Sequence, residues 1–420
     1  MVTPERLSLI ARFTTSRKQR LALALLASML TIHGVSWWEI WRRLPLGYQD
    51  FTIFYTAGKI LSRGQGAYLY DNALQFRTQQ EFAPYTAIRK GPLPYNHVPV
   101  EAVIFVPFTK LPYFQAYVLW DLFSLLVLGA ALFVLRPHLA ALRSQPVLLG
   151  VLLALAFFPV FVALVQGQDV MVLLLLFALT YCALKRNASF AAGCWLGLGL
   201  FRFTLVLPLA LILARRSPLR LLGGFALAGS LMAAGSAMVV GWKATLLYPS
   251  YVLRVERLWV GPVTAVDMPN LRGLIQTALS GSVFPWVIPG LTVALSVALL
   301  WSCSTRWKLS SDDAQFDLSF SLALIAAVLA SYHAYTHDWS VLLIPVLLIA
   351  NYCRMRPTRC GWAMTAPMFV SFLSPLYALF LFRMKLACFL AIVPLAWFWV
   401  IAREMSRSSQ QPEVQIGDTG

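Results

Sequence analysis

Long apolar stretches alternate with short polar or basic segments along almost the whole chain. A helix needs about 17 to 25 mostly apolar residues to cross a lipid bilayer. The pattern therefore predicts an all-α polytopic membrane protein, built as one bundle of about 10 to 12 transmembrane helices. The candidate spans lie near residues 20–37, 114–135, 147–165, 169–184, 189–214, 219–240, 286–304, 317–332, 338–353, 361–381 and 386–402.

The spans predict a single domain over residues 1–405, followed by a polar tail at 406–420 that we expect to be disordered and cytoplasmic. Two long polar segments interrupt the domain, and both are rich in Pro, Gly, Trp and Tyr. They cover residues 38–112 and 241–285, and a third, short segment reads SYHAYTHDWS at 331–340. If the chain performs chemistry, we expect it where these three polar segments converge.

The first apolar run, LALALLASMLTIHGVSWW, follows several basic residues and has no small-residue cleavage site before the next polar segment. We therefore interpret it as an uncleaved span rather than a removed signal peptide. Lys and Arg concentrate in cytoplasmic loops of membrane proteins. Their distribution here slightly favours a cytoplasmic N-terminus, which places the three polar segments on the outer side.

The stretch 189–214 carries Arg202 near its middle and basic pairs at both ends, Lys185–Arg186 and Arg215–Arg216. A single straight span would place one pair on the outer side, whereas two half-helices that meet at Arg202 would keep both pairs inside. Irregular backbone at membrane depth requires a lining of protein or water. We therefore expect Arg202 to face a polar cavity.

The composition agrees with a membrane protein, since 59% of the residues are hydrophobic, 12% are charged and the mean hydropathy is +0.70. The net charge of +17 would suit nucleic acid only if the basic residues shared a solvated face, but they interrupt apolar runs. We therefore predict no nucleic-acid partner, and anionic membrane lipids explain the charge better. The six cysteines lie in or beside apolar stretches without a disulfide framework, so we expect ordinary helix residues.

Asp50, in GYQDFTIFYTAG, stands before an aromatic run with the pattern of an amphipathic helix at the membrane interface. Its carboxylate suits two compatible roles, the N-cap of that helix and a functional acid. Asp71 or Asn72 caps the next short helix by the same reasoning. In the short turn VQGQD, turn chemistry explains Gly167 and Asp169. For the two glutamines of this turn, Gln166 and Gln168, the sequence favours a role in the turn and hydrogen bonds to sugar hydroxyls equally.

His333 and His337 share one face of any helix that continues through both residues. With Asp338 they could bind a metal, but the sequence shows no further ligand, and interfacial capping or contact with a phosphate or sugar are the alternatives. Asn270 and Arg272 follow a proline turn, where they could order the loop or hold a phosphate. Motifs of soluble nucleotide chemistry, such as a Walker-A loop or G-x-G-x-x-G after a strand, do not occur.

Five pieces of sequence, in this order, resemble glycosyltransferase family 87. They read DFTIFYTAGKILSRGQGAYLYD, PYNHVPVEAVIFVPFTKLPY, VQGQDVMVLLLLFALTYCALKRNASFAAGCWLGLGLFRFTLVLPLALILARR, PNLRGLI and YHAYTHDWSVLLIPVLLI. The resemblance runs through nearly the whole chain, and it is carried by the order and spacing of the pieces. Such enzymes have the C-type glycosyltransferase bundle and use polyprenyl-phosphate sugars, typically polyprenyl-phosphate-mannose.

The resemblance implies a role for each candidate residue. Asp50, just after the first helix, would be the catalytic base. Arg202 stands where such sequences often carry a lysine, and the change keeps the charge but not the geometry. The usual tyrosine-proline-proline step is Pro94–His97 here, a departure where the acceptor pocket is expected. Arg202, Arg272 and His337 would bind the donor phosphate, and Gln166, Gln168, His333, Asn270, Tyr95 and His97 would contact the substrates.

The sequence thus predicts an integral-membrane glycosyltransferase of glycolipid biosynthesis. It would move a hexose, typically mannose, from polyprenyl phosphate to a lipid or glycan acceptor at the outer face of the cell membrane. A base would take the proton of the acceptor hydroxyl, and cations would stabilise the departing phosphate. We expect no cofactor and no divalent metal. The alternatives are a transporter or flippase, whose internal symmetry is not visible here, and a structural membrane protein. The prediction requires Asp50 and Arg202 to line one hydrated chamber.

Overall fold

A computed structural model describes residues 17–86, 91–215, 217–257, 265–279, 284, 286–307 and 313–408. Within these ranges the regular secondary structure is helical, and no β-strand is present. Among the described α-helices of at least five residues, the first nine are α1 (Arg17–Trp41), α2 (Phe51–Ser62), α3 (Asn72–Gln80), α4 (Tyr113–Leu135), α5 (Val147–Ala156), α6 (Phe158–Gln166), α7 (Val170–Lys185), α8 (Ser189–Leu198) and α9 (Phe203–Ala214). The others are α10 (Pro218–Val240), α11 (Trp242–Arg257), α12 (Leu271–Ala278), α13 (Val287–Arg306), α14 (Asp313–Ala330), α15 (Leu343–Met355), α16 (Trp362–Val370), α17 (Ser374–Ala378) and α18 (Ile392–Ser408).

The described part of the chain contains 8 helices that are long and apolar enough to cross a membrane, or up to 10 if each bent pair is one span. The predicted all-α polytopic fold is therefore confirmed. The bent pairs are α5 with α6, at 74°, and Trp362–Val370 with Ser374–Arg383, at 61°. In each pair a proline stands in the first turn of the second helix. The backbone leaves helical geometry two residues before each proline, at Phe157 and Leu373. A proline ring clashes with the carbonyl four residues earlier, so the preceding helix cannot continue through it, which accounts for the breaks.

The stretch 189–214 turns back on itself near Arg202, as its flanking charges predicted. By length and apolar composition it would pass as one span of 26 residues. However, α8 and α10 run parallel, because Gly193 faces Leu221 and, further along both helices, Gly197 faces Ala228. Helix α9 lies between them in the chain and must therefore run back toward the start of α10. The backbone leaves helical geometry at Arg202, where φ is −113° and ψ is 54°.

The first polar segment folds into a compact layer with its own apolar core. Helix α2 is almost wholly buried in this layer, since Phe51, Phe54, Ala57 and Ile60 are each 0% exposed. Phe54 stacks on Phe105 with ring centroids 4.7 Å apart. This helix is therefore covered by protein, whereas its pattern predicted one face at the membrane interface.

The three polar segments converge, as expected. The Tyr251 hydroxyl donates to Asn72 Oδ1 at 2.8 Å, which joins the second segment to the first. The indole nitrogen of Trp339 donates to the carbonyl of Pro269 at 3.1 Å, which joins the third segment to the second. All three segments therefore meet at one end of the bundle.

The last third of the chain differs from expectation in one cysteine pair and in the start of the tail. The cysteine prediction is wrong for one pair, because Cys353 and Cys360 form a disulfide that closes the turn between α15 and α16. The predicted tail begins later than expected, since α18 continues to Ser408. Residues 409–420, which hold most of that tail, lie outside the described residues.

Candidate functional site

Asp50 directly precedes α2, but its carboxylate does not cap that helix. The capping role predicted for this side chain is therefore wrong. Asp50 Oδ2 instead accepts a hydrogen bond from Gln168 Nε2 at 2.6 Å, and the Asp50 backbone N–H donates to Gln166 Oε1 at 3.2 Å. By contrast, Asp71 does cap α3, since it accepts from two backbone N–H groups of the first turn.

The turn between α6 and α7 brings both glutamines to Asp50. Gly167 ends α6 in the left-handed region, with φ +62°, a conformation that glycine adopts without strain. A Cβ at this position would lie 2.7 Å from Phe51 Cβ, so the turn packs directly against the start of α2. Tyr117 holds the turn from the other side, because its hydroxyl donates to the carbonyl of Leu164 at 2.7 Å.

Gln168 also connects Asp50 to Arg202. The Arg202 guanidinium donates through Nη2 to Gln168 Oε1, so a single amide binds the carboxylate on one side and the guanidinium on the other. Arg202 further binds Asp169 Oδ1, with Nε at 2.8 Å, and its Nη1 lies 3.4 Å from Asp338 Oδ1. The structure therefore brings Asp50 and Arg202 into one hydrogen-bonded network, although they are far apart in sequence.

A second cluster adjoins this network and consists of His97, Glu101 and Asp169. His97 Nδ1 lies 3.0 Å from Glu101 Oε2 and 3.8 Å from Asp169 Oδ2, and all three side chains are buried. Glu101 Oε1 and Asp169 Oδ2 have no hydrogen-bond partner among the described residues. Burial raises the pKa of Glu101 and that of Asp169 to about 7, and it lowers the pKa of His97 to about 4.

The third polar segment supplies His337 and Asp338. His337 Nε2 lies 3.5 Å from Asp338 Oδ2, and that oxygen accepts from the backbone N–H of Tyr335 at 2.8 Å. No helix continues through both His333 and His337, because α14 ends at Ala330 and helical structure resumes only at His337, so the condition for a shared helix face is not met. The Tyr335 hydroxyl is buried without a hydrogen-bond partner in the part of the chain described by the structure.

Three candidate residues form a separate group beside Tyr332. The Asn270 side chain accepts from the backbone N–H of Gly273 and donates to the carbonyl of Ser331, each at 2.9 Å. Arg272 donates to the carbonyl of Tyr332 at 3.1 Å and stacks over its ring at 3.9 Å. The His333 carbonyl accepts from Thr204 Oγ1 at 3.1 Å. These contacts order the loop that presents His337.

Tyr95 supports the site from behind. It is fully buried, its hydroxyl donates to the carbonyl of Val98 at 2.9 Å, and its ring packs 5.5 Å from that of His97. Tyr95 therefore orients His97 rather than presenting its own hydroxyl outward.

Three carboxylates of the site were not among the predicted site residues. In the sequence, the turn that Asp169 occupies already accounts for its presence. Asp338 was considered only as a metal ligand together with His333 and His337. Glu101 was not considered, although it follows His97 by four residues, a spacing that places both side chains on one face of a helical turn. Short turns hide such residues because they lack the long apolar pattern that identifies spans.

A cavity of about 560 Å³ lies at the end of α1. Tyr48, two residues before Asp50, forms part of its wall, and neither Asp50 nor Arg202 does. The two groups therefore share one network, but this cavity is not the chamber expected between them, and that chamber stays a prediction. The residues that line the cavity are Glu39, Ile40, Arg43, Leu46, Tyr48 and Tyr85.

Comparison with known proteins adds one finding. Residues 95–331, more than half of the chain, match the sequence model of glycosyltransferase family 87. This range contains His97, Gln168 and Arg202, whereas Asp50 and His337 lie outside it. No curated protein and no solved structure matches the chain significantly.

Proposed function

The chain belongs to glycosyltransferase family 87, and from this premise we propose that it transfers a hexose, in the first place mannose, from polyprenyl phosphate to a lipid or glycan acceptor. The multi-pass helical fold and the family together make the protein a membrane glycosyltransferase. The identity of the donor, the sugar and the outer membrane face as the place of transfer are parts of the proposal.

The position of the Asp50 carboxylate carries this proposal. The carboxylate does not cap α2, and the residue is partly exposed. Its Oδ2 accepts a hydrogen bond from Gln168 Nε2 at 2.6 Å, which orients it. In the proposed reaction the acceptor hydroxyl oxygen attacks the anomeric carbon of the sugar while the bond from that carbon to the phosphate oxygen breaks. Asp50 takes the hydroxyl proton, and polyprenyl phosphate leaves as the anion.

The phosphate needs positive charge as it departs. Arg202 is the cation nearest to Asp50 in the network, and 12% of its side chain is exposed. We assign it, with His337 beside Asp338, to the phosphate end of the donor. Arg272 donates to the carbonyl of Tyr332 in the neighbouring group, so we assign it to the outer edge of the phosphate end rather than to direct contact beside Asp50.

The surroundings favour a lipid-borne donor over a nucleotide sugar. The site lies at the end of a bundle of apolar helices, and the adjacent cavity is lined by apolar Ile40 and Leu46 and by the charged pair Glu39 and Arg43. A polyprenyl chain needs an apolar contact surface, and its phosphate needs a nearby cation. An outer-face site is consistent with this donor, because a lipid can present the sugar where soluble nucleotide sugars are not supplied.

The donor assignment is tested with purified protein in liposomes that contain an extract of membrane lipids as acceptors. We expect radiolabelled sugar to move from polyprenyl-phosphate-mannose to a lipid product, and not from a nucleoside-diphosphate mannose. Transfer from the nucleotide sugar would contradict the donor assignment. Movement of intact polyprenyl-phosphate-mannose across the membrane without a new glycosidic bond would instead identify a flippase.

A further inference from the structure

The cluster of His97, Glu101 and Asp169 offers one nitrogen and two carboxylate oxygens that all lie within 4.8 Å of one another. We propose that these three side chains bind one divalent cation of the Mn²⁺ or Zn²⁺ type. This departs from the sequence-based expectation that no divalent metal is involved.

The unpartnered oxygens of the cluster are the observation that points to a ligand. Glu101 Oε1 and Asp169 Oδ2 are buried and accept no hydrogen bond from a donor group among the described residues, so either a proton shared between the two carboxyl groups or a bound cation must satisfy them. The two side chains are only 3% and 4% exposed, so bulk water does not solvate them. A buried carboxylate oxygen without a donor is costly. Asp169 Oδ2 points into the cluster, 3.8 Å from His97 Nδ1.

The spacing of the ligand atoms fits a single small cation. Zn²⁺ binds histidine nitrogen and carboxylate oxygen at about 2.0–2.2 Å, so two ligands of one ion lie roughly 3 to 4.4 Å apart. The three ligand atoms all lie within 4.8 Å of one another, and His97 Nδ1 is 3.8 Å from Asp169 Oδ2. The 3.0 Å contact of His97 Nδ1 with Glu101 Oε2 is a hydrogen bond that the cation would replace. One imidazole with two carboxylates suits a transition-metal ion better than Mg²⁺ or Ca²⁺, which prefer oxygen ligands alone.

The charge balance of the neighbourhood also favours a cation. Arg202 is opposed by Asp169 and Asp338, and it shares Gln168 with Asp50. Asp169 and Asp338 therefore contact the guanidinium directly, whereas Asp50 is joined to it through Gln168 and Glu101 lies beside Asp169. Buried charges are tolerated when they are paired or coordinate a metal, and a divalent cation between Glu101 and Asp169 supplies the missing positive charge.

The cation would also change what the site can bind. Arg202 already binds Asp169 and lies 3.4 Å from Asp338, so a phosphate must compete with these two carboxylates for the guanidinium. A cation held by three protein ligands keeps an open coordination position that can accept a phosphate oxygen. This second role rests on the proposed function, whereas the cation site itself rests only on the geometry of the three side chains.

The test measures Mn²⁺ binding to the full-length protein in detergent after EDTA treatment, without donor or acceptor. The electron paramagnetic resonance signal of free Mn²⁺ should fall until one ion per chain is bound, and Zn²⁺ should displace it. Bound Mn²⁺ should show spin-echo modulation from an imidazole nitrogen. Absence of binding by both ions, or binding without that modulation, would overturn the proposal.

Variants then assign the site. We expect His97→Ala and Glu101→Gln to weaken Mn²⁺ binding at least about tenfold, since loss of one ligand from such a site is not compensated. His333→Ala is the matched control, because its side chain lies outside the cluster, and it should bind Mn²⁺ as the wild type does. Equal binding by His97→Ala and the wild type would place the ion elsewhere and refute the site. Because the assay needs no transfer, its failure would leave the glycosyltransferase proposal standing.

Discussion

At the residue scale, the site depends on one amide that serves two charged groups. Gln168 donates to Asp50 and accepts from Arg202, so it fixes the direction of the base and of the guanidinium together. The family resemblance predicted Asp50 and Arg202, but it could not predict their connection. A hydrogen bond between groups more than a hundred residues apart depends on the packing of α2 against the turn after α6, and no local pattern encodes that distance.

Replacing Gln168 with leucine removes both hydrogen bonds while nearly keeping the side-chain volume. A hydrogen bond to a charged group contributes about 1.5–3 kcal/mol, so we expect kcat to fall by roughly 10- to 100-fold. Gln166→Leu is the matched control. It removes only the bond from the Asp50 backbone N–H at 3.2 Å, and we expect less than about a tenfold loss. Steady-state transfer rates of folded protein compare the two variants, and an equal loss in both would contradict the role of Gln168.

The two helix-capping predictions had opposite outcomes, although both rested on the same local pattern. Asp71 caps α3 because a carboxylate before a helix satisfies its first N–H groups, which a sequence shows directly. Asp50 occupies the same kind of position, yet its side chain binds Gln168 instead. Glu101 was missed because its importance comes from Asp169, which reaches it only in the folded protein.

At the scale of elements, hydropathy predicted the spans closely but not their bends. The segment near 147–165 was predicted as one helix, whereas α5 and α6 meet at 74° before Pro159. Pro159 is visible in the sequence, but a proline bends a helix this sharply only where the packing of the neighbouring helices leaves room for the bend. The helical hairpin of α8 and α9 was predicted because basic pairs at both of its ends require the same side of the membrane.

The turn between α6 and α7 leads to a prediction about Gly167. In Gly167→Ala the new Cβ would lie 2.7 Å from Phe51 Cβ, and a left-handed φ costs a non-glycine residue about 1–2 kcal/mol. We expect a lower melting temperature and a loss of transfer, because the turn that carries Gln168 must move away from Asp50. Thermal unfolding in detergent and the transfer assay measure the two effects.

Gly129→Ala, in the middle of α4, is the control for Gly167→Ala. A Cβ there has no other atom within 4 Å, and alanine is the better helix former. This variant should keep both stability and activity. If Gly167→Ala behaved in the same way, the close packing of the turn against α2 would be refuted.

At the scale of the whole molecule, the three polar segments form one end of the bundle and carry the site. The sequence indicated that these segments were polar and that they should meet. It could not show which of their residues touch, because that depends on how the helices are arranged around each other. The side of the membrane on which this end lies is a prediction from the distribution of Lys and Arg.

Orientation is measured with cysteine reporters at two exposed positions. Gln65 lies in the first polar segment and Ser144 lies beyond the far end of α4, so one helix of 23 residues separates the two ends. In intact cells we expect a membrane-impermeant maleimide to label Gln65→Cys and to leave Ser144→Cys unlabelled until the membrane is opened. Labelling of Ser144→Cys alone in intact cells would show that the site faces the cytoplasm. The unsubstituted protein gives the background from the native cysteines.

The most direct measurement is the rate of sugar transfer by Asp50→Asn, because Asp50 is the base in the proposed mechanism. The variant keeps the side-chain shape and loses the ability to accept the proton, so we expect the rate to fall by about 10²-fold or more. Asp71→Ala, which loses only a helix cap, should unfold about 1 kcal/mol more easily and still transfer at the wild-type rate. A folded Asp50→Asn protein that transfers sugar as fast as the wild type would show that Asp50 is not the catalytic base.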